Sequence, residues 1–171
     1  GASMVGKKEG DGPLGKYFDK IGEEDGLFGC QSWEEAESIL QKEAVSMAIK
    51  KVGLSKEEIR MIYAGDLLAQ TIASSFGIIG FEIPVYGLYG ACATMGEALS
   101  LASMAVAGGY GDYVVAVTSS HFGSAEKEFR FPLGYGNQRP FSATWTVTGS
   151  GACVLEKAEK QELPELQQGK S

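Results

Sequence analysis

The sequence predicts an α/β fold with one mixed, mostly parallel sheet of five strands and a buried central helix. Two continuous apolar stretches, Met61–Ala64 and Tyr113–Thr118, have the composition of strands that are covered on both faces. Helical patterns alternate with these strands, as expected when helices pack on both sides of a sheet. The run from 92 to 107 is apolar and rich in small side chains on nearly every side, which predicts a helix that is almost fully buried.

The first part of the chain contains the clearest helical signal. Residues 1–31 are rich in glycine and charged residues and are predicted to be mostly loop. The segment Ser32–Val52 is predicted to be a helix, because Ser32 and Glu35 have the spacing of a capping box and apolar residues recur at helical spacing. A short strand then leads into a second helix, predicted over Leu67–Gly77.

The second part continues the alternation of strands and helices. Val85–Tyr89 is predicted to be a buried strand that leads into the central helix. Residues 122–142 are predicted to be a long polar and aromatic loop, and Ala143–Glu156 a final strand. We expect one domain over 1–156 and a polar, disordered tail over 157–171.

Composition and charge exclude several classes of function. The formal net charge of -7 disfavours nucleic-acid binding, which requires a basic surface. Three widely spaced cysteines without CxxC spacing favour a reducing, cytoplasmic compartment. A single histidine and scattered cysteines do not form a metal-ligand pattern, so we expect neither a metal nor another cofactor.

Cys92 is the first candidate functional residue. It follows a predicted strand and lies at the start of the central helix, where free N–H groups and the helix dipole favour a thiolate. The alternative is a buried thiol that packs as a small hydrophobic side chain. The position of Cys92 alone does not distinguish a reactive thiolate from a buried structural thiol.

Four further residues are candidates for a ligand site. His121 follows a buried strand and could bind a carboxylate when protonated, or it could be a loop histidine that bonds a backbone carbonyl. Asp66 could contribute to the same site, although capping of the following helix explains it better. Arg130 and Arg139 could each hold a carboxylate in a bidentate manner, and surface pairing with neighbouring glutamates explains them equally well.

Five strings in register carry a resemblance to a known family. The Gly-Ala-Cys-Ala-Thr turn resembles the nucleophile turn of the thiolase superfamily. More specifically, the chain is similar to the stage V sporulation protein AD family from about Val5 to Glu156. The strings that carry this similarity are VGKKEGDGPLGKYFD, AGDLLAQ, GLYGACATM, the segment from SSH to RFP, and WTVTGSGA.

The resemblance implies a thiolase-like N-terminal half-domain rather than an enzyme with a known reaction. Members of the family are thought to bind dipicolinic acid (pyridine-2,6-dicarboxylate) as part of a spore inner-membrane channel complex. The resemblance thus implies a cytoplasmic location peripheral to that membrane, and other stage V sporulation A proteins as partners. It covers only the first half of the family's fold, so we expect a homodimer or pairing with the missing C-terminal half.

Two functions from different classes are implied by this resemblance. The first is binding of dipicolinic acid in a pocket formed by Cys92, His121, Asp66, Arg130 and Arg139, together with aromatic residues of the 122–141 segment. The second is an acyltransferase of the thiolase or ketoacyl-synthase type with Cys92 as its nucleophile. That chemistry needs a base within hydrogen-bond reach, and the superfamily's bases lie in the second half of its fold.

Overall fold

The chain forms a three-layer structure with a single sheet between helices. The computed structural model describes residues 1–23, 26–68, 71–129, 142, 144 and 146–158. Its strands are β1 (Ala2–Val5), β2 (Lys20–Ile21), β3 (Ile59–Asp66), β4 (Val85–Leu88), β5 (Tyr113–Ser120) and β6 (Gly149–Glu156). Its α-helices are α1 (Lys7–Gly10), α2 (Trp33–Lys51), α3 (Ile72–Ile78), α4 (Thr94–Ala107) and α5 (Phe122–Phe129).

The sheet is mixed, as predicted, with the strand order β2-β1-β6-β5-β3-β4. Strand β3 is parallel to both β4 and β5, and β1 is parallel to β2. Strand β6 runs antiparallel to its two neighbours, β1 and β5. The described residues therefore form six strands instead of the predicted five, and two of them lie in the segment predicted to be mostly loop. Strand β1 is only four residues long and depends on its pairing with β6, which local sequence patterns do not reveal.

The two faces of the sheet carry different helices. Val115 and Val117 of β5 pack in one core cluster with α2, and Val114 and Ala116 pack in a second cluster with α4. Because successive side chains of a strand point to opposite faces, α2 and α4 lie on opposite sides of the sheet. The predicted α/β layering is confirmed.

The predicted capping signal of helix α2 is confirmed in part. Ser32 precedes the helix, and its hydroxyl accepts the N–H of Glu35 at 3.2 Å. The Glu35 carboxylate accepts the N–H of Gln31 at 3.0 Å, so it bonds the residue before the cap. The helix ends at Lys51, one residue before the predicted end.

Helix α4 and strand β4 are less buried in this chain than their sequences predict. Only Thr94, Ala98, Ala102, Ala105 and Val106 of α4 are buried, whereas Met104 is 67% exposed. Strand β4 is an edge strand, and Val85 and Tyr86 are exposed. The prediction of near-complete burial is wrong for the isolated chain, because α4 packs on the sheet with one face and the described part of the chain does not cover the opposite face.

The segment after β5 also differs from its prediction. Residues 122–129 form helix α5 instead of loop, and much of the remaining predicted loop lies outside the described residues. The final strand begins at Gly149, six residues later than predicted. Most of the predicted tail, from 159 onward, is likewise outside the described part of the chain. None of the helices described here has the length and apolar content to cross a membrane.

Candidate functional site

A cleft of about 630 Å³ opens where the strand ends converge. The carboxyl ends of β3 and β5 meet the beginning of β6 there, at the kind of sheet edge where α/β proteins bind ligands. We call it the Cys92 cleft. Its lining comprises Ser3, Val5, Phe18, Leu67, Ala91, Cys92, Thr94, Met95, Thr118, Ser119, Ser120, Phe129, Thr144, Thr146, Val147, Gly149, Ser150 and Gly151.

Cys92 lies on a tight turn between β4 and α4. The turn is a 3-10 helix over Ala91–Ala93, and Ala91 has a φ of 47°, a left-handed conformation that is uncommon for a residue with a Cβ. The Thr94 hydroxyl stabilises this turn, because it accepts the N–H of Gly90 at 3.0 Å and donates to the carbonyl of Ala91 at 2.7 Å. Cys92 is exposed and lines the cleft, so it is not the buried structural thiol of the alternative interpretation.

A glycine of β3 allows this turn to lie directly against the sheet. A Cβ at Gly65 would lie 2.4 Å from the Thr94 methyl carbon and 2.6 Å from the carbonyl oxygen of Leu88. Both distances are too short for real contacts, so a side chain there would displace the turn. Gly65, the glycine of the AGD string, thus allows the close packing that positions the Cys92 turn.

Hydroxyl groups line another wall of the cleft and join β5 to β6 and to the segment before it. The Ser120 hydroxyl donates to the carbonyl of Val147 at 2.6 Å, and the Ser150 hydroxyl donates to the carbonyl of Thr118 at 2.8 Å. Each of these hydroxyls uses its hydrogen within the protein, so neither hydrogen is free to be donated to a ligand.

His121 is a structural residue in this fold. It is 4% exposed, its Nε2 lies 2.8 Å from the carbonyl oxygen of Gly26, and its Nδ1 accepts the N–H of Gly123 at 3.0 Å. These partners require the neutral imidazole with its hydrogen on Nε2. Burial lowers the pKa of His121 from its ordinary value, against weaker opposing effects of the Gly26 carbonyl and of Glu34 and Glu9. The predicted cationic role of His121 is therefore not supported, and His121 is not among the described residues that line the cleft.

Asp66 also has a structural partner, as its capping interpretation predicts. Its Oδ2 accepts the backbone N–H of Ser74 at 3.0 Å and the Ser74 hydroxyl at 2.8 Å. Ser74 lies in the first turn of α3, so the carboxylate satisfies a helix N–H group that has no partner within the helix. Asp66 is 3% exposed and does not line the described part of the cleft.

The predicted ligand set is only partly brought together. The cleft contains Cys92 and Phe129, but not His121 or Asp66. Arg130 and Arg139 lie outside the described residues, as do Phe131 and Tyr135.

A profile of the stage V sporulation protein AD family matches residues 1–170 of this chain. The chain belongs to that family. It is also 44% identical, over 157 residues, to stage V sporulation protein AD of Bacillus subtilis strain 168. That alignment covers 91% of this chain and 46% of the relative, so the chain spans about half of the relative's length.

Solved structures of low sequence identity share the thiolase-like fold. One is 3-oxoacyl-[acyl-carrier-protein] synthase III from Aquifex aeolicus, with a TM-score of 0.56 and 18% identity over 71% of this chain and 39% of that one. Another is a variant of OleA from Xanthomonas campestris, solved with bound lauric acid and lauroyl-CoA, with a TM-score of 0.55 and 13% identity over 70% of this chain and 40% of that one. They show that this member of the stage V sporulation protein AD family has a thiolase-like half-fold.

Sequence reasoning missed a buried polar cluster behind the cleft of this family member. Glu37 and Gln41, one turn apart on α2, are both buried and bond the Ser119 hydroxyl of β5. The signal that could have revealed them is their spacing, because both lie on the stripe of α2 that continues with Ala44 and Ala48. Two polar residues in an apolar stripe predict buried hydrogen bonds.

Proposed function

We propose that this protein binds dipicolinic acid in the Cys92 cleft and acts in sporulation as a binding component, not as an enzyme. The observation that carries the proposal is an open cleft at the turn before α4 in a member of the stage V sporulation protein AD family. We propose further that it works at the spore inner membrane, from the cytoplasmic side, with other stage V sporulation A proteins.

The chemistry of the cleft fits a planar aromatic dicarboxylate. The start of α4 brings the positive end of a fourteen-residue helix to the cleft, which favours a carboxylate. Phe129, Val147 and Met95 provide apolar walls for a ring. The described lining contains no lysine or arginine, so Arg130 and Arg139 remain the proposed cationic partners of the second carboxylate.

Titration calorimetry with pyridine-2,6-dicarboxylate tests this proposal. We expect Cys92→Ala to weaken binding severalfold, because the thiol contributes to the cleft wall, and Cys153→Ala on β6 to leave binding unchanged, because Cys153 does not line the described cleft. Measurements on this chain and on the full-length Bacillus subtilis relative show whether half of the fold is sufficient. Equal affinities of the parent and Cys92→Ala, in both proteins, would place the ligand elsewhere.

The alternative function is acyl transfer by Cys92, and the exposed thiol in the cleft favours it. A cysteine nucleophile needs a base, and the single histidine of this sequence is held by Gly26 and Gly123 away from the cleft. The base would have to come from another chain or segment. Mass spectrometry after incubation with an acyl-CoA separates the two functions, because only the acyltransferase acquires an acyl group on Cys92.

We also propose that the chain pairs through its β4 edge, with a second copy as the partner. Val85 and Tyr86 of this edge strand are exposed, and Phe76 and Ile79 of the preceding helical segment are each 71% exposed. An apolar edge strand with unpaired backbone groups is a template for strand pairing between chains. A homodimer would cover it.

A further inference from the structure

Glu37 has an environment that is unusual for a glutamate. The residue is 3% exposed, and the partners of its carboxyl group are two hydroxyls: Ser119 donates to Oε1 at 2.7 Å, and Ser124 lies 3.1 Å from Oε2. The structure gives the carboxyl no ion pair in the part of the chain that it describes. A buried carboxylate without a cation is costly, so this site favours the protonated acid.

The charged groups around Glu37 strengthen that preference. Asp66 of β3 and Glu34 of the same helix both repel a negative charge on Glu37, and Lys127 of α5 is paired with Glu34. Helix α3 contributes the Ser74 hydroxyl, which is bound to Asp66, and has no charged residue of its own. His121, at the end of β5, is neutral. Burial raises the pKa of Glu37 to about 7, and the two hydroxyls oppose this only in part.

The hydrogen-bond role of Ser124 depends on the protonation state of Glu37. Ser124 Oγ lies 3.1 Å from Glu37 Oε2 and also 3.1 Å from the carbonyl oxygen of His121. When Glu37 is neutral, its O–H donates to Ser124, and the Ser124 hydrogen turns to that carbonyl. When Glu37 is ionised, the Ser124 hydrogen must turn back to the carboxylate.

Ser119 connects this carboxyl to the cleft. Its hydroxyl donates to Glu37 and accepts the Nε2–H of Gln41 at 2.8 Å, and the same amide donates to the carbonyl of Gly65 at 2.9 Å. Ser119 is also part of the cleft lining, and Gly65 is the residue against which the Cys92 turn packs. The cluster thus joins both walls of the cleft to one titratable group.

We propose that Glu37 is a proton-binding site that controls the cleft: its neutral form holds Ser119 and the two walls together, and its ionisation loosens them. The charge that appears on ionisation lies between β5 and α2 and is repelled by Asp66, so it favours separation of α2 from the strand ends. The cleft would consequently be most rigid in mildly acidic surroundings and more open above neutral pH.

Nuclear magnetic resonance on the unsubstituted 171-residue chain tests the proposal directly. We expect the side-chain carboxyl carbon of Glu37 to titrate with a midpoint near 7, and the backbone amides of Ser119 and Ser120 to shift with the same midpoint. In Glu37→Gln, which keeps an acceptor for Ser119 and a donor for Ser124, those two amides should not titrate. A Glu37 midpoint in the ordinary range of a carboxyl, or serine amides that do not follow it, would overturn the proposal.

Stability measurements give an independent test with a matched control. Because the folded protein holds the Glu37 proton more tightly than the unfolded chain, the stabilisation is complete below pH 4.5 and is lost as pH rises to about 7. Relative to Glu37→Gln, the unfolding equilibrium constant of the parent should rise about tenfold per pH unit in that window. The control Asp19→Asn should show no such relative slope there, because its hydrogen bond with Lys51 lowers the pKa of Asp19, and the carboxylates that act on Glu37 are Asp66 and Glu34. Parallel pH profiles for the parent and Glu37→Gln would overturn the assignment.

Discussion

At the scale of single residues, Cys92 and His121 show how tertiary contacts separate two similar sequence positions. Each follows a strand whose carboxyl end lies at the same edge of the sheet. The turn at Ala91 directs Cys92 into the cleft, whereas the His121 ring is buried and bonded on both nitrogens. The partners of His121 lie 95 and two residues away along the chain, and the more distant one could not be predicted from local sequence.

The ionisation of His121 can be measured without ambiguity, because the sequence contains one histidine. We expect its imidazole resonances to titrate with a midpoint below 6.5 and to show the tautomer with hydrogen on Nε2. The folded protein resists protonation of His121, so this residue contributes stability that is present above pH 6.5 and lost as pH falls through the lowered pKa. A midpoint above 6.5 would restore the cationic ligand-binding role.

At the scale of elements, glycines on two helices have opposite surroundings. Gly77 of α3 packs against α2, and a Cβ there would lie 2.7 Å from the Ser38 carbonyl oxygen. Gly96 of α4 has no atom within 4 Å of the corresponding position. The first glycine therefore permits a close helix crossing, and the second lies on the face of α4 that the described residues leave exposed.

The same substitution should have opposite effects at these two positions. Gly77→Ala should lower the free energy of unfolding by about 1–3 kcal/mol, because the new methyl group pushes α3 away from α2. Gly96→Ala should raise it by about 0.5–1 kcal/mol, because alanine is the better helix former and has open space. Urea denaturation of both variants measures the difference. Destabilisation by Gly96→Ala would indicate that α4 is tightly covered in solution, as a partner would require.

At the scale of the whole molecule, two elements of one half-fold expose apolar surface that could be covered by pairing. They are the β4 edge and the outer face of α4, which the sequence predicts to be buried. The chain spans about half the length of its Bacillus subtilis relative. It likewise covers only 37–41% of the length of the solved structures that share its fold. These surfaces are where the proposed homodimer would bury apolar area.

Sedimentation velocity tests the proposed pairing. We expect the chain to sediment as a dimer, and Val85→Lys to shift it toward an 18.1 kDa monomer, because a charge on an edge strand opposes strand pairing between chains. Leu14→Lys is the matched control, since Leu14 is also exposed but lies outside this surface. A parent chain that stays monomeric at high concentration would contradict the homodimer.

The sequence by itself determined the α/β class, the helix that Ser32 caps, the strands around Ile62 and Val115, and the family. Periodicity, capping residues and motif strings are local patterns, so they can be recognised without knowledge of the fold. Tertiary structure alone decided that β1 pairs with β6, that residues 122–129 are helical, and that His121 and Asp66 serve the framework. It also decided that Glu37 is buried beside Ser119, 82 positions away. Such outcomes depend on which distant residues supply partners for buried polar groups, and a local pattern contains no information about those partners.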